Sequence, residues 1–222
     1  MAHSYPMMVN LHKRNVLVVG GGKVAERKVL SLLSTGAKIN IVSPTITDGI
    51  RLYAKQRRIH LQLRDYQSID GEGCFLVIAA TNQPFVNLQV YEDALKRNQW
   101  VNVVDQPSLC NFTVPSVFKR GKLMITVSTE GASPSLSKQI RRELESRYGD
   151  EYELLLEITQ ELRSRLQWEI PDPKIRYHLM KELVDEHWIE ICRLRPQTAR
   201  IEMTNWLEEQ MKMRGGVTKC ES

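Results

Sequence analysis

Long apolar runs are missing from this chain: none approaches the roughly 20 residues that a membrane-spanning helix needs. The opening Met1-Ala2-His3-Ser4-Tyr5-Pro6 has no charged segment followed by an apolar one. The expectation is a globular, cytoplasmic protein with no membrane partner. Cysteine is sparse, and Cys74, Cys110, Cys192 and Cys220 stand apart, with no C-x-x-C pair and no histidine at ligand spacing. They read as reduced packing thiols, and no metal site is assigned. Aromatics make up only 7% of the residues, and no basic run is interleaved with them. The net charge of +5 suits nucleic acid, an acidic membrane or a polyanionic small molecule. Its basic residues are scattered among acids, as in Arg141-Arg142-Glu143-Leu144-Glu145, which argues against nucleic acid. Internal repeats and low-complexity segments are absent.

What is present is enough for a real core. With 222 residues, 42% of them hydrophobic, the chain accommodates one full domain and a smaller second one. It is organised around Asn15-Val16-Leu17-Val18-Val19-Gly20-Gly21-Gly22-Lys23-Val24-Ala25-Glu26-Arg27-Lys28, an apolar run that breaks on three glycines and resumes with helix formers. Gly20, Gly22 and Ala25 fit the dinucleotide fingerprint G-x-G-x-x-G/A. The first glycine permits the sharp turn, the second lets a pyrophosphate approach the backbone, and the small third residue lets helix and strand pack closely. Free amides at the helix start would face the phosphates. In many NAD enzymes an acidic residue about 20 positions further on takes the ribose. Here Ser43 holds that place, which leaves NAD against NADP open.

The rest of the first half alternates strands and helices. Met7–Leu11 reads as an edge strand, the first helix runs from Lys23 to about Ser34, and Lys38–Val42 is the second strand. A helix from Asp48 to Lys55 and an edge strand from His60 to Leu63 follow. Cys74–Ala80 is apolar on both faces and reads as a central parallel strand. It ends on Thr81-Asn82, at the carboxyl edge where open α/β sheets bind ligands. After the helix Pro84–Asn98, the strand Trp100–Val104 ends on Asp105. Two roles are open to Asp105: a general base facing the nicotinamide end of the cleft, or a cap on the turn before Pro107.

Beyond this the rhythm changes. Asn111–Pro115 and Leu123–Thr129 are strand-like, with a turn at Lys119–Lys122. The polar loop to Ser135 opens a helix from Leu136 to Tyr148. Ser133 before Pro134 fits an N-cap with proline at the first helical position, and serves either capping alone or an anion as well. From Glu151 the pattern is helical. Its stripes are Leu155, Ile158, Leu162 and Leu166, then Ile175, Leu179, Leu183 and Trp188 on one helix begun by Asp172-Pro173, then Ala199, Met203, Leu207 and Met211. The tail from residue 214 to 222 reads as disordered.

The glycine stretch, together with Val42-Ser43-Pro44, Ala79-Ala80-Thr81-Asn82, Asn102-Val103-Val104-Asp105 and Ile125-Thr126-Val127-Ser128-Thr129-Glu130-Gly131-Ala132-Ser133-Pro134, resembles in order and spacing the precorrin-2 dehydrogenase family of sirohaem synthesis. The resemblance covers about Asn10 to Tyr148. It implies an α/β fold in three parts: a Rossmann-type parallel sheet over 1–112, a small α+β dimerisation region over 113–148 whose strands pair across a homodimer, and an all-helical domain over 149–213. It also implies NAD-dependent oxidation of precorrin-2 to sirohydrochlorin. Gly20, Gly21, Gly22, Lys23 and Val24 would hold the cofactor, with Ser43, Pro44, Thr45 and Thr81, and Asp105 falls on the aspartate implicated in chemistry. Asn82, Ser128, Thr129, Gly131 and Ser133 are the substrate candidates. Thr129 stands where some members carry a serine. Precorrin-2 carries about eight carboxylates in the family chemistry, which a cleft of positive potential would attract. Two alternatives accompany this reading: a bifunctional enzyme that also inserts iron, and a non-catalytic NAD-sensing module.

Overall fold

A strand that is apolar on both faces must lie between neighbours, and Asn15–Val19 (β1) does so, with its last four residues buried. The computed structural model describes residues 4–214. Contacts divide the chain into two units between Val114 and Pro115. In the first unit, β1 joins Lys38–Val42 (β2), His60–Gln62 (β3), Leu76–Ala79 (β4) and Trp100–Val103 (β5) in a parallel sheet of order β3-β2-β1-β4-β5. Lys23–Leu33 (α1), Asp48–Lys55 (α2) and Pro84–Lys96 (α3) follow β1, β2 and β4. Register places Val19 beside Val42 and Ala79, so β1, β2 and β4 end level with one another. The strand order reverses between β1 and β4, which is where such sheets open a crevice.

The alternation of side chains across the pleat fills two cores. Val16, Val18, Ile39, Ile41 and Ile78 pack with Ala25, Val29 and Ile50 on one face of the sheet. Leu17, Val19, Val42, Val77, Val101 and Val103 pack with Val90 and Ala94 on the other. Each such valine, leucine or isoleucine side chain, buried from water, contributes about 1.5–3 kcal/mol.

In the second unit, Ser116–Arg120 (β6) and Leu123–Val127 (β7) form an antiparallel hairpin. Its two-residue turn begins at Gly121, whose φ is +50°, a conformation that favours glycine. The helices Pro134–Arg147 (α4), Glu151–Glu169 (α5), Pro173–Glu182 (α6), Glu186–Leu194 (α7) and Pro196–Arg214 (α8) follow. Leu155, Ile158, Leu162, Leu166, Leu179, Leu183, Trp188, Ala199, Met203, Leu207 and Met211 form one core, with Ile175 packed against it. Arg165 bridges to Glu208 at 2.9 Å and Arg193 to Glu151 at 2.7 Å. No helix among the described residues is long and apolar enough to cross a membrane.

Four sequence expectations need correction. Met7–Leu11 is not a strand. Neither is Asn111–Pro115: Asn111 instead docks on β5 through its side chain, accepting from Val101 N–H at 2.8 Å and donating to Gln99 O at 2.8 Å. Pro115 has no N–H to offer a ladder, and pairing begins at Ser116. The helix begun at Pro173 does not reach Trp188. It stops at Glu182, and Asp185 caps α7 by accepting from Trp188 N–H at 3.3 Å. Helix α4 starts at Pro134, not Leu136. Cys74, Cys110 and Cys192 are free thiols. Cys220 and the tail beyond Arg214 lie outside the described residues.

Candidate functional site

The glycine loop spans the crevice between β1 and α1, and its three glycines do different work. Gly20 has φ +119°, and a methyl there would lie 2.3 Å from Ala80 O. One on Gly21 would lie 2.0 Å from Thr45 O. These two glycines let three chain segments close on one another. Gly22 has φ −78°, a conformation open to any residue, and a methyl there meets no atom within 4 Å. Gly22 is also the N-cap of α1, with no side chain capping the helix. Its first-turn amides therefore face outward, together with the positive end of the helix dipole.

Around this loop lies a cleft of about 530 Å³, lined by Gly20, Gly21, Gly22, Lys23 and Val24, by Ser43, Pro44 and Thr45, by Thr81, Asn82, Gln83 and Val86, and by Asp65, Tyr66 and Asp105. Several of the hydroxyls there are already engaged. Ser43 Oγ donates to Thr45 O at 2.7 Å and fixes the turn after β2. Thr81 Oγ1 donates to Asn87 Oδ1 at 2.7 Å, while Asn87 Nδ2 donates to Thr81 O at 3.1 Å. Asn87, buried on α3, thus shapes the loop after β4. The sequence signal for it was a polar residue on the inward stripe of that helix.

Asp65 and Tyr66 escaped the sequence reading, because only tertiary folding brings the segment after the edge strand to the glycine loop. Tyr66 Oη donates to Asp93 Oδ2 at 3.0 Å. Burial, and then this bond, push the phenol well above its ordinary range. Asp65 is exposed on the cleft wall.

Asp105 adopts a left-handed conformation, φ +59°. Its side chain does not cap the following turn: that turn, Pro107–Leu109, has Gln106 as its N-cap and no side-chain bond there. The carboxylate is exposed at the end of the nucleotide-side cleft. It also lines a second cleft of about 280 Å³, with Arg27, Lys28, Asn102, Gln106, Cys110 and Thr113 among the walls. Asp105 is the one ionisable residue common to both. Cys110 Sγ is held in place, accepting from Val103 N–H at 3.2 Å and lying 3.3 Å from Val103 O and Gln106 O. Burial lowers the Lys28 ammonium pKa and Arg27 lowers it further, against the opposing pull of Cys110 and Asp105.

Comparison with known proteins follows this division. A family model for NAD(P)-binding domains matches residues 7–116, and one for the central part of sirohaem biosynthesis proteins matches residues 120–147. Siroheme synthase 1 of Aeromonas hydrophila subsp. hydrophila is 33% identical over 215 residues, 96% of this chain and 46% of that protein. The siroheme synthase of Pseudomonas fluorescens is 38% identical over 178 residues, 80% of this chain and 38% of that one. Among solved structures, SirC, a precorrin-2 dehydrogenase, superposes with a TM-score of 0.80 at 29% identity, covering 93% of this chain and all of the other. The chain belongs to the precorrin-2 dehydrogenase family of sirohaem synthesis. It spans less than half the length of these sirohaem synthases.

Membership makes NAD the cofactor of the first unit, and the glycine loop fits it. A ligand phosphate needs an uncapped helix start and a position without a side chain, and Gly22 supplies both. The remaining family positions lie in the second unit, between β7 and α4. Ser128 Oγ accepts from Glu130 N–H at 3.1 Å, and Thr129 Oγ1 accepts from Ser133 N–H at 3.1 Å. Gly131 has φ +85°, with open space where a side chain would stand. Ser133 caps α4, its Oγ accepting from Leu136 N–H at 3.3 Å. This loop is folded by its own hydroxyls.

Proposed function

We propose that this protein oxidises precorrin-2 to sirohydrochlorin. When bound, NAD+ supplies the hydride acceptor, and the chain's own residues supply position and a place for the proton. The amides at Gly22 to Val24 hold the pyrophosphate. Asp65 on the cleft wall disfavours the additional phosphate of NADP by charge repulsion. Asp105 receives the proton released as the macrocycle gains conjugation.

The observation that carries this reading is the state of Asp105. Asp105 stands at the cleft in the left-handed backbone conformation, which aspartate adopts more readily than most residues. Its carboxylate is exposed, does not cap the adjacent turn, and lies where the nucleotide cleft meets the second one. Incubating the protein anaerobically with precorrin-2 and NAD+ tests the reading. The visible spectrum is expected to change to that of sirohydrochlorin, with NADH formed in step. A non-catalytic NAD sensor would leave both spectra unchanged, and adding Fe2+ to the product tests metal insertion in the same cuvette.

We also propose that the protein is a cytoplasmic homodimer. In support, β6 and β7 form a two-stranded sheet, so the outer edge of each strand has no partner strand within the described chain. Unpaired edges invite strands from a second chain. Light scattering after size exclusion is expected to give twice the chain mass.

A further inference from the structure

The second cleft is not explained by nucleotide binding. Its walls bring Arg27 and Lys28, from the second turn of α1, to the loop that carries Asp105 and Cys110. Lys28 is half-buried, and among the described residues neither cation forms an ion pair. Arg27 beside it is exposed, and the Asp105 carboxylate in the same cleft attracts Lys28 without forming an ion pair with it. A half-buried ammonium next to a second cation is stabilised by an anion that docks against both. The cleft, about 280 Å³, falls below the roughly 300–1,000 Å³ that encloses a whole drug-sized ligand. It has room for one edge of a larger molecule.

We propose that Arg27 and Lys28 seat a carboxylate arm of a polyacidic macrocycle and so bring its ring edge to Asp105. The inference rests on the reaction proposed above and adds to it the residues that select an acidic substrate. One rigid helix then serves both ligands. Its first turn faces the cofactor phosphates, and Lys28, about 9 Å along the axis from Gly22 at 1.5 Å per residue, faces the substrate. Asp105 lies between the two clefts. The arm's negative charge would relieve the repulsion between Lys28 and Arg27. The fixed Cys110 thiol and Asn102 amide, which donates to Phe112 O at 3.1 Å, keep the opposite wall in place.

The test uses uroporphyrin, a stable macrocycle with carboxylate arms on every pyrrole, and follows its absorbance as the full-length protein is titrated in. Wild type is expected to bind it, and the R27Q/K28M double variant to bind it about 10- to 100-fold more weakly, the range for losing charge-assisted hydrogen bonds. K28R alone should recover most of the affinity. NAD+ affinity should stay within twofold in every variant, which also shows that the first unit is folded. Failure of wild type to bind uroporphyrin, or binding by the double variant within threefold of wild type, overturns the inference. The two readings separate in the turnover assay. If wild type oxidises precorrin-2 and the double variant has the same KM, the carboxylate seat fails and the reaction stands. If uroporphyrin binding depends on Arg27 and Lys28 but precorrin-2 is never oxidised, the seat stands and the reaction fails.

Discussion

Replacing Gly22 with aspartate separates ligand binding from folding more sharply than any other single change in the glycine loop. The backbone there already has φ −78° and ψ −177°, and open space lies where the side chain would go. Aspartate is a better N-cap than glycine by a few tenths of a kcal/mol. Its charge on the positive end of α1 contributes a further 0.3–1 kcal/mol or so. The fold should therefore be as stable as wild type or slightly more so. Binding should suffer on two counts. The carboxylate occupies the amides that a pyrophosphate needs, and it faces negative charge at about 5 Å, which at an effective dielectric of about 20 costs roughly 3 kcal/mol. That corresponds to a rise in Kd of roughly 100-fold. Calorimetric titration with NAD+ beside urea denaturation measures both halves, and Gly22→Asn controls for size. NAD+ affinity within threefold of wild type in a folded Gly22→Asp protein would refute placement of the pyrophosphate at the start of α1.

The neighbouring positions behave differently. Gly20→Ala forces a side chain into φ +119° against Ala80 O, so urea denaturation should show a loss of about 1–3 kcal/mol; unchanged stability would mean that the loop tolerates a side chain there. Asp105→Asn keeps a residue that accepts the left-handed conformation but removes the base. The turnover number should fall about 10²–10⁴-fold with NAD+ affinity unchanged, and a fall of less than threefold would exclude the base role. Asp70 gives a pH signature. Burial raises its pKa, but the Arg64 fork, at 2.8 and 2.5 Å, and the Gln67 amide, at 2.8 Å, outweigh burial and depress it. Its contribution is complete above about pH 3.9, the unperturbed aspartate value, and is lost as pH falls through the lower folded value. Asp70→Asn should be less stable at neutral pH and flatter in its acid-side urea midpoints; an unchanged acid slope would show that the pair carries no linkage.

The first unit was legible because its signals are local. The apolar run into Gly20, the two-face burial of β4 and the helical stripes each follow from spacing within a few residues. The cores of α5 and α8 were equally plain, since Leu155 to Leu166 and Ala199 to Met211 repeat at helical spacing. What escaped notice depends on distant partners. Asn111 looks like part of a strand until its side chain is seen docking on β5. The apolar stripe from Ile175 to Trp188 continues through a break that only the Asp185 cap reveals. Asp65 and Tyr66 join the cleft only after the crossovers are made. Arg27 and Lys28 read as ordinary helix charges until the β5 loop folds against them. Ser43 and Thr81, expected at the cofactor, line the cleft, and local hydrogen bonds engage their hydroxyls there.

The central claim concerns electrons passing from a tetrapyrrole to the nucleotide held at the glycine loop. Its most direct measurement is the stoichiometry of an anaerobic single-turnover reaction, counting NADH and sirohydrochlorin from their separate absorbance bands. Equal amounts of the two, formed at one rate and dependent on Asp105, are expected. Bound NAD+ that stays oxidised in the presence of precorrin-2 would contradict the account.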